Sequence, residues 1–210
     1  MKYKTEILKT QIPLSVLSNL KTIVENDVST YQKNQPVGAP HGTYYPVGVE
    51  AHDIVRDNLP LIENERLYVS FLQHSQPTGP HTDTNISPGD TYSDPKRFAR
   101  TFIIPLETQD THTITFNECM DHGSVGSEMN KFISSLPARN LISAEVYEKY
   151  LSWKTSDMMH YYSRLSVETI FPWIAGDVLV FDRKRMHTGD NHLDKMPVKK
   201  GIIVWSEIVC

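Results

Sequence analysis

His81-Thr82-Asp83 sets two ligand-type side chains one residue apart. In an extended segment, residues i and i+2 point the same way. An imidazole and a carboxylate presented together can grip one ion. The preceding turn, Gln76-Pro77-Thr78-Gly79-Pro80, must end regular pairing and would stiffen that presentation. A third ligand is available at His187, in Arg185-Met186-His187-Thr188-Gly189, just after the strand-like Asp177 to Asp182. Two His and one carboxylate form a facial set that leaves coordination positions open for a co-substrate and dioxygen, and it suits iron(II). His81 and His187 lie far apart in sequence, so the fold must bring two distant strands together.

H-x-D alone is a weak signal, and a fourth element strengthens it. Lys199 opens the strand-like run KKGIIVW, on which Lys199, Gly201, Ile203 and Trp205 share one face. A lysine on an otherwise apolar inward face needs an anionic partner, because burying a lone charge is costly. The carboxylate of a keto acid would satisfy it, and the small Gly201 would leave room beside it. The face argument does not by itself choose between Lys199 and Lys200.

The elements that must position these groups are mostly strands. Lys4 to Leu8 reads as a short strand, and Pro13 opens a helix over Leu14 to Asn26 with Leu14, Leu17, Leu20 and Val24 at helical spacing. Gln35 to Gly48, dense in Pro and Gly, reads as a loop. Strands are expected over Arg66 to Leu72, Phe98 to Leu106, Thr111 to Asn117, Arg164 to Phe171, Asp177 to Asp182 and Lys199 to Val209. Ser143 to Trp153 reads as a helix capped by Ser143. Many short strands with few helices predict a mainly β (α+β) chain with a sandwich or jelly-roll core.

With these pieces in place, the sequence resembles the 2-oxoglutarate/Fe(II)-dependent dioxygenase superfamily, and within it the prolyl-hydroxylase-like branch. The matching pieces are Pro80-His81-Thr82-Asp83, then GDVLVFD over Gly176 to Asp182 leading to His187, then KKGIIVW over Lys199 to Trp205. The resemblance implies a double-stranded β-helix core over roughly residues 66–209 with flanking N-terminal helices, in one domain spanning 1–210. It implies Fe(II) on His81, Asp83 and His187, with 2-oxoglutarate and O2 as co-substrates. It favours Lys199 over Lys200 as the partner of the far 2-oxoglutarate carboxylate, since a tryptophan commonly follows that basic residue six places later, as Trp205 does here. The implied activity is hydroxylation of a small-molecule or peptidyl substrate with release of succinate and CO2. Members often carry a tyrosine about ten residues before the first His; this chain has Phe71 there. The insert between Glu118 and Thr169 has no counterpart in the resemblance.

Composition narrows the alternatives. A net charge of -4 disfavours nucleic acid as a partner. No run approaches the ~20 apolar residues of a membrane span. Two distant cysteines, Cys119 and Cys210, argue against a disulfide framework or a cysteine-rich zinc site, and with no apolar leader they predict a cytoplasmic protein. Arg100 is expected either to face the cavity or to form an ion pair. Asp177 is read as a turn residue, His122 and His192 as exposed loop residues, and Glu118-Asp121-His122 as solvated. The loop Ile86 to Lys96 is a candidate cover for the site. Competing classes are a cupin-like metalloenzyme that does not use 2-oxoglutarate, a non-catalytic jelly-roll binding module and a two-His, one-carboxylate zinc hydrolase.

Overall fold

The structure is a computed structural model that describes residues 3–33, 44–74, 78–84, 98–120, 127–152, 159–190 and 198–209. In order, the elements are β1 (Glu6–Leu8), α1 (Leu14–Lys33), β2 (Tyr44–Pro46), α2 (Val49–Asn58), β3 (Glu65–His74), β4 (Phe98–Pro105), β5 (His112–Cys119) and α3 (Ser127–Ser135). Then come α4 (Ala144–Val146), which continues as a π-helical turn over Tyr147–Leu151, α5 (Met159–Tyr162), β6 (Val167–Pro172), β7 (Val178–Asp182), β8 (Arg185–Gly189) and β9 (Lys199–Ile208).

The strands form two antiparallel sheets, one of six strands in the order β1-β7-β4-β9-β3-β2 and one of three in the order β6-β5-β8. This is the expected mainly β jelly-roll arrangement. From β6 onward, consecutive strands alternate between the sheets: β7 lies in the larger and β8 in the smaller. The turn between them therefore closes one end of the sandwich.

Side-chain alternation divides the chain into three apolar layers. The outer face of the large sheet, with Phe71, Phe102, Ile202 and Val204, packs on Leu17, Leu20 and Val24 of α1 and on Ala51 and Val55 of α2. The space between the sheets holds Leu72, Ile103, Phe171, Trp173, Leu179, Phe181 and Ile203. The outer face of the small sheet, with Ile114, Phe116 and Met186, is covered by Met129, Ile133, Leu151 and Tyr162. The 118–169 insert thus has a packing role. It supplies the helices that cover a sheet face which would otherwise stand apolar in water.

Several expectations are corrected. α1 runs seven residues past Asn26, to Lys33. The stretch read as a loop up to Gly48 contains β2, paired with β3 in the register Tyr44↔Leu72. Helix α2 was not anticipated, although Gly48 precedes it and Pro60 follows. The helix expected over Ser143 to Trp153 is one α turn followed by a π turn, with Ser143 capping as expected: its hydroxyl accepts from the Val146 amide at 3.2 Å. Arg100 forms its ion pair with Glu65, and its guanidinium also donates to the Pro60 carbonyl at 2.9 Å. Asp177 is more than a turn residue. Its carboxylate accepts from Lys9 at 2.7 Å and from the Thr10 amide at 2.9 Å, which pins the N-terminal segment. Glu118 accepts from the Ser166 amide and hydroxyl at 3.0 and 2.9 Å. Asp121, His122, His192, Cys210 and the loop Ile86 to Lys96 lie outside the described residues.

Candidate metal centre and anion site

His187, expected just after the strand Asp177 to Asp182, sits in the middle of the next strand, β8. Its backbone pairs with that of His81: each amide donates to the other's carbonyl at 2.9 Å. The Asp83 amide donates to the Arg183 carbonyl at 3.0 Å. The H-x-D segment is thereby laid as a short extra strand beside β8, which is how residues over a hundred apart in sequence share one face. Ligand atoms of His81, Asp83 and His187 all lie within 4.8 Å of one another. The nearest measured approach is His187 Nε2 to Asp83 Oδ2, 3.6 Å.

Hydrogen bonding fixes the tautomers. His81 Nδ1 donates to the Gly79 carbonyl at 2.7 Å and His187 Nδ1 to the Arg185 carbonyl at 3.2 Å. A carbonyl can only accept, so each Nδ1 carries the proton and each Nε2 keeps its lone pair. Burial pushes the His187 imidazolium down to about 4, with the nearby His81 adding to the shift and Asp83 opposing it. Burial pushes the Asp83 carboxyl up, but electrostatic coupling to His187 and His81, a hydrogen bond from Thr101 and the Arg183 guanidinium outweigh it and leave it below its usual range. The Thr101 hydroxyl donates to Asp83 Oδ2 at 2.7 Å. Two imidazoles, each with Nδ1 engaged and Nε2 left for a metal, converge with one carboxylate, which is the donor set a divalent iron fits.

Lys199 is 4% exposed and close enough to the cluster for its charge to bear on His187. Its ammonium stands 4.0 Å over the Trp173 ring and donates to the His112 carbonyl at 3.1 Å. No carboxylate pairs with it among the described residues. Asp190, the nearest acid in effect, is committed to the Thr111 hydroxyl at 2.5 Å and to His112 Nδ1 at 2.8 Å. Burial drags the lysine down to about 7, and Asp190 offsets this only in part. Lys200, the other candidate, reaches Glu25 of α1 on the opposite face.

The space beside Gly201 belongs to Trp173, contrary to the expectation that it would admit a ligand. A Cβ there would stand 2.8 Å from the indole and 3.0 Å from the Ile104 carbonyl. Phe71 also faces away from the cavity, into the helix-covered layer with Tyr45. The phenol on the cavity side is Tyr44, whose ring meets Trp205 at 5.2 Å and His74 at 5.5 Å. Sequence reasoning missed Tyr44, Thr101, Trp173 and Arg183. Each reaches the site through cross-strand register or a turn, with no spacing signature of its own.

Solved structures share this fold. The non-haem α-ketoglutarate-dependent carbocyclase SnoK from nogalamycin biosynthesis superposes with a TM-score of 0.57 at 12% identity, covering 97% of this chain and 79% of that one. The non-haem α-ketoglutarate-dependent epimerase SnoN from the same biosynthesis gives 0.54 at 11% identity, over 97% and 78%. The fold is that of the 2-oxoglutarate-dependent oxygenases. A Pseudomonas putida prolyl-4-hydroxylase aligns less well, at 0.47 and 9% identity, and carries no weight for the branch. No protein-family model and no curated protein matches the sequence. Within this oxygenase fold the described helices include none long and apolar enough to cross a membrane.

Proposed function

We propose that the chain, as one domain, is an Fe(II)- and 2-oxoglutarate-dependent oxygenase that hydroxylates a small-molecule or peptidyl substrate. One observation carries the reading: a tautomer-locked cluster of two His and one carboxylate stands near a buried lysine that lacks a carboxylate partner among the described residues. His81, Asp83 and His187 would hold the iron through two Nε2 atoms and a carboxylate oxygen. Lys199 would pair the C5 carboxylate of 2-oxoglutarate. The anion returns the charge balance that burial has denied the lysine.

Iron with 2-oxoglutarate and O2 supplies the oxidising chemistry, turning the keto acid into succinate and CO2 as the substrate is oxidised. The chain's own contribution is placement and shielding. Thr101 holds one carboxylate oxygen of Asp83. Trp173 floors the lysine, and Leu72, Phe181 and Ile203 keep water from the cavity. Tyr44, 39% exposed, and the partly buried Trp205 form the more open aromatic wall, where substrate would approach. The free, half-buried thiol of Cys119 fits a reducing, cytoplasmic setting.

The test is succinate formation from 2-oxoglutarate in air with added Fe(II), followed for the wild type, His187→Ala and Lys199→Met. Slow succinate release that both substitutions suppress is the expected outcome. A wild type that binds iron yet neither binds nor consumes 2-oxoglutarate would overturn the reading in favour of a cupin-like metalloenzyme.

A further inference from the structure

Arg183 sits in the two-residue turn that closes the sandwich between β7 and β8 and is 7% exposed. Its side chain turns back under the H-x-D segment. Nε and Nη2 both donate to the main-chain carbonyl of Asp83, at 3.0 and 2.9 Å. The return contact is the Asp83 amide, which donates to the Arg183 carbonyl at 3.0 Å. Nη1 faces the end of β9, with the Ser206 carbonyl at 3.4 Å and Glu207 Oε1 at 3.5 Å. Glu207 is itself held from β3 by the Tyr68 hydroxyl at 3.2 Å. The Arg183 amide donates to the Ala99 carbonyl of β4 at 3.2 Å. A rigid fork on one carbonyl fixes the peptide plane, because both donors lie in the guanidinium plane.

We propose that Arg183 is the positioning residue for Asp83, locking the peptide of the carboxylate ligand to the large sheet so that its side chain meets His81 and His187 at a divalent metal. The inference rests on the proposed metal site. The carboxylate is then held at two points, its main chain by Arg183 and its Oδ2 by Thr101. Electrostatics make the role separable from a bulk effect. The guanidinium is a cation close to a cation site, so its charge alone opposes metal binding. Removing that charge without any loss of placement would tighten the metal. A weakened metal therefore reports lost orientation.

The experiment is anaerobic calorimetric titration with Mn(II) and Co(II), at a pH where Asp83 is ionised, on the wild type, Arg183→Met, Arg183→Lys and Arg100→Met. Thermal melts of each metal-free protein run alongside. Arg100→Met breaks a buried ion pair on β4 without touching Asp83, and it controls for general loosening. Expected is a loss of about 10- to 100-fold in metal affinity for Arg183→Met, the range for partners that orient a ligand. Arg183→Lys, which keeps charge but not the fork, loses affinity as well. The Co(II) absorption spectrum of both Arg183 variants should change, while Arg100→Met melts lower and binds as the wild type does. Should Arg183→Met not fold, Arg183→Lys decides alone. Unchanged or tighter binding in a folded Arg183 variant, or an equal loss in Arg100→Met, would overturn the proposal with the metal site intact. A wild type that binds neither ion would overturn both readings.

Discussion

The two ends of the inter-sheet cavity are prepared in opposite ways. At the metal end, every orienting contact is already made: paired backbones, fixed tautomers, an ionised Asp83 with Thr101 on its carboxylate. At the lysine end, a single cation is stripped of water and left resting on an indole and one carbonyl. The first end is arranged in advance and needs only an ion. The second is unsatisfied until an anion arrives. On the proposed function, the protein would hold metal independently of 2-oxoglutarate, whereas the keto acid would be drawn in by a charge deficit at its far end.

The largest expected effect separates the ends outright. Asp83→Ala or His187→Ala should weaken Fe(II) or Mn(II) binding by more than about 100-fold, beyond the range of supporting residues. Lys199→Met should leave metal affinity near the wild-type value and weaken 2-oxoglutarate by about 10- to 100-fold, as expected for a charged hydrogen bond worth about 1.5–3 kcal/mol. Equal losses of metal in both variants, measured by calorimetry, would erase the distinction.

The pH response sharpens it. With Lys199 near 7 in the folded protein and 10.5 as the ordinary value, the unfolded chain binds more protons between those limits. Lys199 thus makes the ligand-free protein more stable as pH rises through that window. Affinity for 2-oxoglutarate runs the other way, since the charged lysine is the binding form; it should fall by up to about tenfold per pH unit above 7. Denaturant melts and equilibrium dialysis across pH 6.5–9 should show both trends, and Lys199→Met should flatten both.

Smaller effects probe the supports. Gly201→Ala forces a methyl against Trp173 and the Ile104 carbonyl. It should cost about 1–3 kcal/mol of stability by thermal melt and weaken 2-oxoglutarate more than metal. Thr101→Val removes one hydrogen bond from the Asp83 carboxylate and should weaken metal by about tenfold, the low end of a charged hydrogen bond worth about 1.5–3 kcal/mol.

The H-x-D half of the candidate metal cluster was legible in the sequence because its spacing is local. His81 and Asp83 declare themselves by a two-residue spacing, and Lys199 by a charge on an apolar face. A mainly β sandwich or jelly roll was legible from strand count and turn residues, while its double-stranded β-helix form came only from the family resemblance. What escaped depends on register. The large sheet is buried on both sides, so alternation does not say which face is which, and a one-residue offset exchanges them. Phe71 accordingly points at the helices while Leu72 lines the cavity. Tyr44 and Trp173 come from other strands and carry no mark of their destination. Arg183 could have been noticed only as a cation in a turn beside an apolar strand. The insert hid its role because its apolar residues are spread over short helices, Ser127–Ser135, Ala144–Val146 with its π turn, and Met159–Tyr162.

The most direct measurement is anaerobic titration of the protein with Fe(II) and then 2-oxoglutarate, watching for the weak visible charge-transfer band of the chelated keto acid, with His187→Ala and Lys199→Met beside it. A band that His187→Ala abolishes, and that Lys199→Met moves to much higher 2-oxoglutarate concentration, is the predicted result. An iron-loaded wild type that gives no band at saturating 2-oxoglutarate would contradict the account.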